Sequence, residues 1–317
     1  MAKRAYDVLV VGGGAAGLSA ALVLGRARRS VVVLDAGAPR NAPAAHMHGF
    51  LTRDGMAPSA LLAQGRQEVA GYGVDFVDDV VLTLQRGFTA DLASGLTVSA
   101  RRVLIASGAA DKLPDLPGVQ ERWGRDLLHC PYCHGWEVRD EPLGVLGTAP
   151  GSVEHAHLVR QWSDDVVFFA HIHALDPRER EGLAARGIEV VHGQVRRLAV
   201  EADRLTGVEL RDGRVISRTA VFVRPESSPH EDGLSAGLGC ALDEAGFPTV
   251  DRAGRTSVSG VWAAGNAVDP RAQVITSAGA GSTAAISINA DLVQEDAQHA
   301  LHVLDTNRNA LQERSRP

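Results

Sequence analysis

Two strand–turn–helix–strand units within one chain of 317 residues predict an α/β protein. The first unit lies at the N-terminus and the second begins near Leu143. A Pro- and Gly-marked junction near 113–118 and a weaker one near 243–247 separate the chain's ends from its middle. Together these features predict two Rossmann-like nucleotide-binding domains, the second inserted into the first. The predicted boundaries are 1–114 and 245–317 for the first domain and 115–244 for the inserted one. The length agrees, because 317 residues exceed one average domain.

In the first unit, Tyr6 to Val11 is an apolar, mostly β-branched run suited to a strand buried on both faces. Gly12-Gly13-Gly14-Ala15-Ala16-Gly17 follows as a GxGxxG turn, and Leu18 to Arg28 has helical composition. Ser30 to Leu34 is the next strand, with Asp35 at its end. Gly12 permits the tight turn, Gly14 lets the backbone approach a pyrophosphate, and Gly17 lets the helix pack on the strand. The N–H groups at Ala15 and Ala16 open the helix toward the phosphates, and Asp35 stands where an acid accepts ribose hydroxyls. This unit alone predicts a dinucleotide without separating FAD from NAD.

The junction is Leu113-Pro114-Asp115-Leu116-Pro117-Gly118, a predicted hinge with a weaker return near Asp243–Phe247. In the second unit LGVLG from Leu143 is a strand and turn, Ser152 to Trp162 is helical, and DDVVFFAH is a strand. Near the C-terminus, Val261 to Asn266 reads as a strand ending in a small-residue loop, and the segment from Gln273 and Val274 opens a helix. The last dozen residues, rich in Arg, Asn and Gln, are expected to fray.

Composition excludes several classes. Hydrophobic residues make up 45% and charged residues 22%, an ordinary balance for a chain with a real core, and 34 glycines imply many turns. A net charge of −6 speaks against nucleic acid or an anionic membrane as partner. No apolar run reaches the ~18 residues a membrane span needs. The N-terminus runs straight into a strand with no cleavage pattern, so a cytoplasmic protein is expected.

The three cysteines carry the chemistry. His129-Cys130-Pro131-Tyr132-Cys133-His134-Gly135-Trp136-Glu137 holds a CxxC with proline inside and histidines outside. In a reducing compartment such a pair is redox-active or metal-binding rather than a structural staple. A protonated imidazole lowers a thiol pKa and a neutral one accepts its proton, so His134 is the candidate acid/base. A structural zinc would need four ligands, and no second CxxC supplies them. That alternative would make the chain a zinc- or redox-sensing regulator. Cys240 stands alone and reads as a small core residue.

The order of glycine loop, inserted CxxC domain, second unit and C-terminal strand–loop–helix resembles the low-molecular-weight thioredoxin reductase family over nearly the whole chain. That resemblance implies FAD as cofactor and a homodimer. It places Gly265 and Asn266 on the ribityl chain and Gln273 and Val274 at the pyrimidine end of the flavin. It makes Cys130 the thiol that exchanges with substrate and Cys133 the thiol nearest the flavin. The family has an aspartate where Asn266 stands and another where His134 stands. CPYCHGWE looks more like the branch of dithiol oxidases that close disulfides in small natural products, of gliotoxin and holomycin type. The implied partner is a small-molecule dithiol, with O2 as electron acceptor, or a thioredoxin-like protein reduced with NAD(P)H.

The second turn departs from a reductase's nucleotide site. Gly147-Thr148-Ala149-Pro150-Gly151-Ser152 has two glycines, and Pro150 lacks an N–H. His171-Ile172-His173 stands where two phosphate-binding arginines would be expected, with Arg178 and Arg180 as nearby substitutes. The expectation is a degenerate NADPH site.

Overall fold

The apolar run at the N-terminus forms a parallel strand, Arg4–Val11, whose Val8, Leu9 and Val10 are wholly buried. A computed structural model describes residues 4–230 and 233–314. The chain divides into two units, one made of 1–39, 62–109 and 229–317, the other of 40–61 and 110–228. These bounds differ from the sequence-read boundaries at three places, the first being that the second unit's long segment starts at 110 rather than 115. Residues 40–61 group with the second unit, and the chain re-enters the first near 229 rather than 245.

The first unit is built on a seven-stranded sheet in the order Asp75–Asp78, Val31–Asp35, Arg4–Val11, Thr97–Ile105, Thr89–Leu92, Val81–Gln85. The long strand Thr97–Ile105 carries two kinds of neighbour. Its start pairs antiparallel with Thr89–Leu92, and its end, Val103 to Ile105, pairs parallel with Val261–Ala263. The helix Ala15–Arg26 begins three residues before the expected Leu18, because the turn's alanines join it. Its Ala20, Ala21 and Leu24 enter one apolar cluster with Ala284, Ala285 and Ile288 of the helix Val274–Arg314. Trp262 lies in that cluster and donates from Nε1 to the Ser287 hydroxyl at 3.0 Å. The expected fraying is not seen through Arg314: the C-terminal helix runs on, since Ala, Leu, Gln, Glu and Arg are good helix formers. Residues 315–317 lie outside the described ones.

The second unit holds an all-parallel five-stranded sheet in the order Glu189–Val191, Val166–Phe169, Leu143–Leu146, Ala220–Val223, Leu127–Leu128. A three-stranded antiparallel sheet, Val195–Glu201, Arg204–Leu210 and Val215–Ser217, shares its core. The helix Ser152–Val159 stops three residues short of the expected Trp162, whose chain turns back to donate from Trp162 N to the Val159 carbonyl. Just before the predicted hinge a short strand, Ala110–Lys112, pairs antiparallel with Glu226–Ser228. Arg40 clamps this ribbon by two bonds to the Asp111 carboxylate and one of 3.0 Å to the Ser227 hydroxyl. Among the described residues no helix is long and apolar enough to cross a membrane.

Trp262 is 1% exposed, and the Ser287 hydroxyl that accepts from it is itself buried. Trp262→Phe should leave that hydroxyl unpaired beside a small cavity and lower unfolding stability by about 1–3 kcal/mol, read from urea denaturation. A change within a few tenths of a kcal/mol would contradict the packing described.

Candidate active site

The glycine turn folds as its three roles require. Gly12 takes φ +101°, and a side chain there would overlap the Ala106 carbonyl. A side chain at Gly17 would overlap the Gly12 carbonyl. Gly14, between them, has nothing within 4 Å of where a Cβ would stand. It caps the helix Ala15–Arg26 with no side-chain hydrogen bond, and the first turn holds no acidic residue. The N–H groups of that turn therefore have the open space and the positive end of a helix before them, which suits the pyrophosphate of a dinucleotide.

Both ends of the chain meet at one residue of this turn. A side chain on Gly281 would overlap the backbone of Ala16, and one on Gly265 would stand 2.8 Å from the Ala16 Cβ. Gly265, predicted from the far end of the sequence, thus lies against Ala16, predicted from its start. Asn266 follows in a short 3-10 turn, Gly265–Ala267, and donates from Nδ2 to the carbonyls of Asp269 and Ala272 at 2.9 Å each. A carboxylate has no proton to donate to either carbonyl, so the amide, not the family's aspartate, closes this loop. Gln273 accepts at its carbonyl from Ser277 N, 2.8 Å away, and Val274 starts the helix.

Asp35 ends its strand packed against Gly13 and accepts from Arg66 Nη1 at 2.9 Å; Arg66 also pairs with Asp78. Arg66 stacks over the Phe76 ring at 4.6 Å. The sequence reading missed Arg66, because nothing in Gln64-Gly65-Arg66 points to a residue 31 positions earlier.

The cysteine pair lies just past the carboxyl end of the strand Leu127–Leu128, the side of a parallel sheet where ligands bind. Cys130 and Cys133 form a disulfide, with Cα atoms 5.2 Å apart. Cys130 caps the short helix Pro131–His134, and its carbonyl accepts from the backbone N–H groups of Cys133 and His134. Pro131 suits the first helical position, where no donor is lost. Gly135 is required by packing: a side chain there would press on the Trp162 ring. Trp162 in turn meets Tyr132 edge-on at 5.5 Å. Tyr132 and Trp136 are each 65% exposed, and Arg139 stacks on Trp136 at 4.0 Å.

His129 and His134 adjoin the pair in sequence, and a third histidine, His155, meets His129 edge-on. Burial holds His134 below its usual pKa, with Glu137 raising it and His48 lowering it further. Burial likewise lowers His129, against a smaller opposing effect of Asp111. His155, on the helix Ser152–Val159, is 7% exposed and meets both His129 and Phe222 edge-on. Burial pushes it down to about 4. All three imidazoles are therefore held toward the neutral form, the form that accepts a proton.

The second glycine turn is filled by its own chain. Ser152, fully buried, accepts at Oγ from Ala149 N and donates to the Ala149 carbonyl. The Arg224 guanidinium lies against Gly151, where a side chain would overlap it. His171 accepts at Nδ1 from Val195 N at 2.9 Å, and His173 pairs with Glu179 at 3.0 Å. Glu179 and Asp176 form a capping box at the start of the helix Pro177–Ala185. One carboxylate, Glu179, thus stands beside His173, and Arg178 and Arg180 are exposed on that helix's first turns. Cys240 is buried, with its thiol raised by burial and 3.6 Å from the Thr256 hydroxyl.

Two measurements follow. Gly14→Val should fold and lose flavin, because the added methyls enter open space, whereas Gly17→Val should lose the fold itself. Flavin content and circular dichroism separate the two; a flavin-replete Gly14→Val protein would contradict the cradle. For His155, the unfolded value near 6.5 lies above the folded value of about 4. As pH falls the unfolded chain takes up the proton first, so stability is lost from about pH 6.5 down to pH 4, by up to about 3 kcal/mol. His155→Phe should flatten that part of the urea midpoint against pH; an unchanged slope would contradict a neutral buried His155.

The pyridine nucleotide-disulphide oxidoreductase family matches residues 6–283. Thioredoxin reductase sirT of Leptosphaeria maculans is 33% identical over 307 residues, 90% of this chain and 93% of that one. The crystal structure of HlmI is similar with a TM-score of 0.94 and 55% identity, covering 96% of this chain and 99% of that one. An oxidoreductase from Agrobacterium tumefaciens is similar with a TM-score of 0.86 and 34% identity, over 92% of this chain and 99% of that one. The chain therefore belongs to the pyridine nucleotide-disulphide oxidoreductase family and is a FAD-dependent thiol–disulfide oxidoreductase of the thioredoxin reductase-like kind.

Proposed function

We propose that the protein oxidises a small-molecule dithiol to its disulfide and delivers the two electrons to O2. The observation that carries this reading is the second glycine turn. The Ser152 hydroxyl bonds the Ala149 backbone within it, and Glu179 pairs with His173. A 2′-phosphate brought there would be desolvated beside the Glu179 carboxylate, with histidines at the positions where the arginine pair is expected. The inserted domain then serves as the carrier of the cysteine pair. The resemblance of CPYCHGWE to dithiol oxidases of small natural products supports the same direction of electron flow.

In this reading Gly12, Gly14, Ala15, Ala16 and Gly17 hold the pyrophosphate of FAD, and Asp35 the ribose. Gly265, Asn266, Gln273 and Val274 meet the ribityl chain and the flavin ring. Bound FAD supplies a two-electron acceptor for the reduced cysteine pair and a donor to O2, which becomes H2O2. The remaining steps belong to the chain's own residues. His134, neutral, takes the proton of one substrate thiol. The thiolate attacks Cys130 Sγ, the Cys130–Cys133 bond breaks, and Cys133 leaves as thiolate. The second substrate thiol then displaces Cys130 from the mixed disulfide. The substrate leaves two electrons and two protons poorer, and both cysteines are reduced. The exposed Tyr132 and Trp136 offer apolar faces for an organic substrate beside the disulfide.

We place the protein in the cytoplasm as a homodimer. Exposed Ile286, Val293, Leu301 and Leu304 on the C-terminal helix support self-association.

The test is anaerobic flavin bleaching. A small dithiol should bleach the flavin, air should restore it, and one H2O2 should form per dithiol oxidised; NADPH and NADH should do little on that timescale. Rapid stoichiometric bleaching by micromolar NADPH would instead make the protein a disulfide reductase, with Arg178, Arg180 or backbone groups forming the site. Cys130→Ser and Cys133→Ser should each abolish turnover while keeping flavin. His134→Ala should lower turnover by ~100-fold or more, the usual worth of a general base. The rate of the wild type should fall as acid protonates His134, with its midpoint below the reference value of about 6.5 because burial disfavours the cation. A loss under threefold with the pH profile intact would remove His134 from the role.

A further inference from the structure

We infer that Trp136 is a specificity-determining residue of the redox site: Arg139 pins one face of its indole, and the open face stacks on a flat ring of the dithiol. The inference rests on the reading that a small dithiol reduces the Cys130–Cys133 disulfide. It narrows that dithiol to one carrying an aromatic or conjugated plane.

The support begins with where the ring stands. Cys130 caps the helix Pro131–His134, and Gly135 keeps a helical backbone, φ −66° and ψ −31°, with its N–H donating to the Pro131 carbonyl at 2.7 Å. The turn therefore carries on to Trp136. Residues three and four apart share one face of a helical turn, with Cβ atoms about 5–6 Å apart. Trp136 thus adjoins Cys133, three residues before it, and Tyr132, four before it. A molecule whose thiol attacks the disulfide has these two rings within reach of its remaining atoms.

The ring is held in place. The Arg139 guanidinium lies over the indole at 4.0 Å, and its Nη1 donates to the Trp136 carbonyl at 2.7 Å. One side chain therefore grips both the ring and the backbone of Trp136, which makes Arg139 a positioning residue. Asp140 N donates to the Trp162 carbonyl at 2.8 Å and closes the segment onto its support. Trp162 packs against Gly135 and meets Tyr132 edge-on at 5.5 Å. With one face covered, Trp136 is still 65% exposed, and so is Tyr132. A ring already fixed loses little freedom when a ligand covers it, so stacking on it is favourable.

Size and charge choose the occupant. Each such ring can bury about 150–250 Å2. Two rings cover one face of a small molecule and fall short of the ~800 Å2 per partner of a standard protein interface. The cation on one face draws on the electron density of the indole, so the other face favours an electron-rich plane in offset stacking. An aliphatic dithiol has no plane to offer it.

The test compares dithiothreitol with 1,2-benzenedimethanethiol, which close ring disulfides of the same size, as substrates of the aerobic holoenzyme. The quantity read is the ratio of their kcat/KM values. Trp136→Leu should lower the aromatic-to-aliphatic ratio by about threefold to tenfold, the usual worth of one aromatic pair, and through KM rather than kcat. Trp136→Phe, which keeps a plane, should retain most of the ratio. Arg139→Met, which frees the ring, should lower it by less than Trp136→Leu. A second measurement needs no electron transfer. The sequence holds four tryptophans, and the indole N–H resonance of Trp136 in the oxidised holoenzyme is assigned by its loss in Trp136→Phe. Titration with 1,2-benzenedimethanol, which has no thiol, should move that resonance, and the saturated 1,2-cyclohexanedimethanol should not. A ratio unchanged in Trp136→Leu or lowered equally by Trp136→Phe, or a Trp136 resonance moved equally by both diols, would overturn the inference. So would a larger loss in Trp136→Leu toward a reduced thioredoxin-like protein than toward either small dithiol, which assigns the face to a protein partner. If neither dithiol reduces the flavin while the aromatic diol alone moves the Trp136 resonance, the stacking site stands and the dithiol-oxidase reading falls.

Discussion

The close backbone approach around Ala16 is the constraint on which the cofactor half of the molecule depends. Gly17 sits on the Gly12 carbonyl, Gly281 on the Ala16 backbone, and Gly265 on the Ala16 side chain. Three glycines from two ends of the chain leave out the side chains that would hold these segments apart. The N-terminal helix can then lie against the C-terminal helix, with Ala20, Ala21 and Leu24 meeting Ala284, Ala285 and Ile288. Small residues allow that approach, and wholly buried apolar residues stabilise it. The outcome is one cradle assembled from residues some 250 positions apart, with open space in front of Gly14.

The redox half follows a different logic. A parallel sheet offers its carboxyl edge, and the sequence sets the CxxC directly after the strand Leu127–Leu128 at that edge. The neighbouring turn at Gly147–Ser152, which in this architecture can receive a nucleotide, is closed by Ser152 and overlaid by Arg224. The segment that holds the disulfide carries instead imidazoles, His129 and His134, held toward the neutral form by burial, and a pair of exposed aromatic rings. Neutral imidazoles accept protons, and aromatic faces receive organic molecules. Both properties suit thiols arriving on a small substrate better than hydride arriving on a nucleotide.

Charge is handled locally in both halves. Arg66 joins Asp35 to Asp78, Arg40 joins Asp111 to Ser227, and His48 joins Asp54 to Glu137. In each case a cationic or cation-forming side chain crosses from one segment to another to meet an acid near a candidate site residue. Exposed ion pairs contribute little to stability, of order 0–1 kcal/mol. Their worth here lies in fixing where carboxylates point and how much of their field reaches the neighbouring group.

Sequence alone determined what local chemistry can encode. The strand, turn and helix of Arg4–Arg26 follow from an apolar run, three glycines and an alanine-rich stretch, so Gly12, Gly14, Gly17 and Asp35 were legible at once. The CxxC with Pro131 inside was equally plain, because both cysteines lie within one helical turn. Helix ends were less legible: the first helix starts at Ala15 and the second unit's helix stops at Val159, where turn hydrogen bonds rather than propensity decide. Tertiary structure alone decided which distant residues complete the sites. Arg66 on Asp35, Trp162 on Gly135, His155 on His129 and His48 on Glu137 are contacts between segments, and the local sequence around each carries no trace of its partner. Asn266 shows the same limit in one residue. Its departure from the family's aspartate could be read from sequence, but the two carbonyls that its amide N–H groups satisfy, and a carboxylate cannot, exist only in the folded loop.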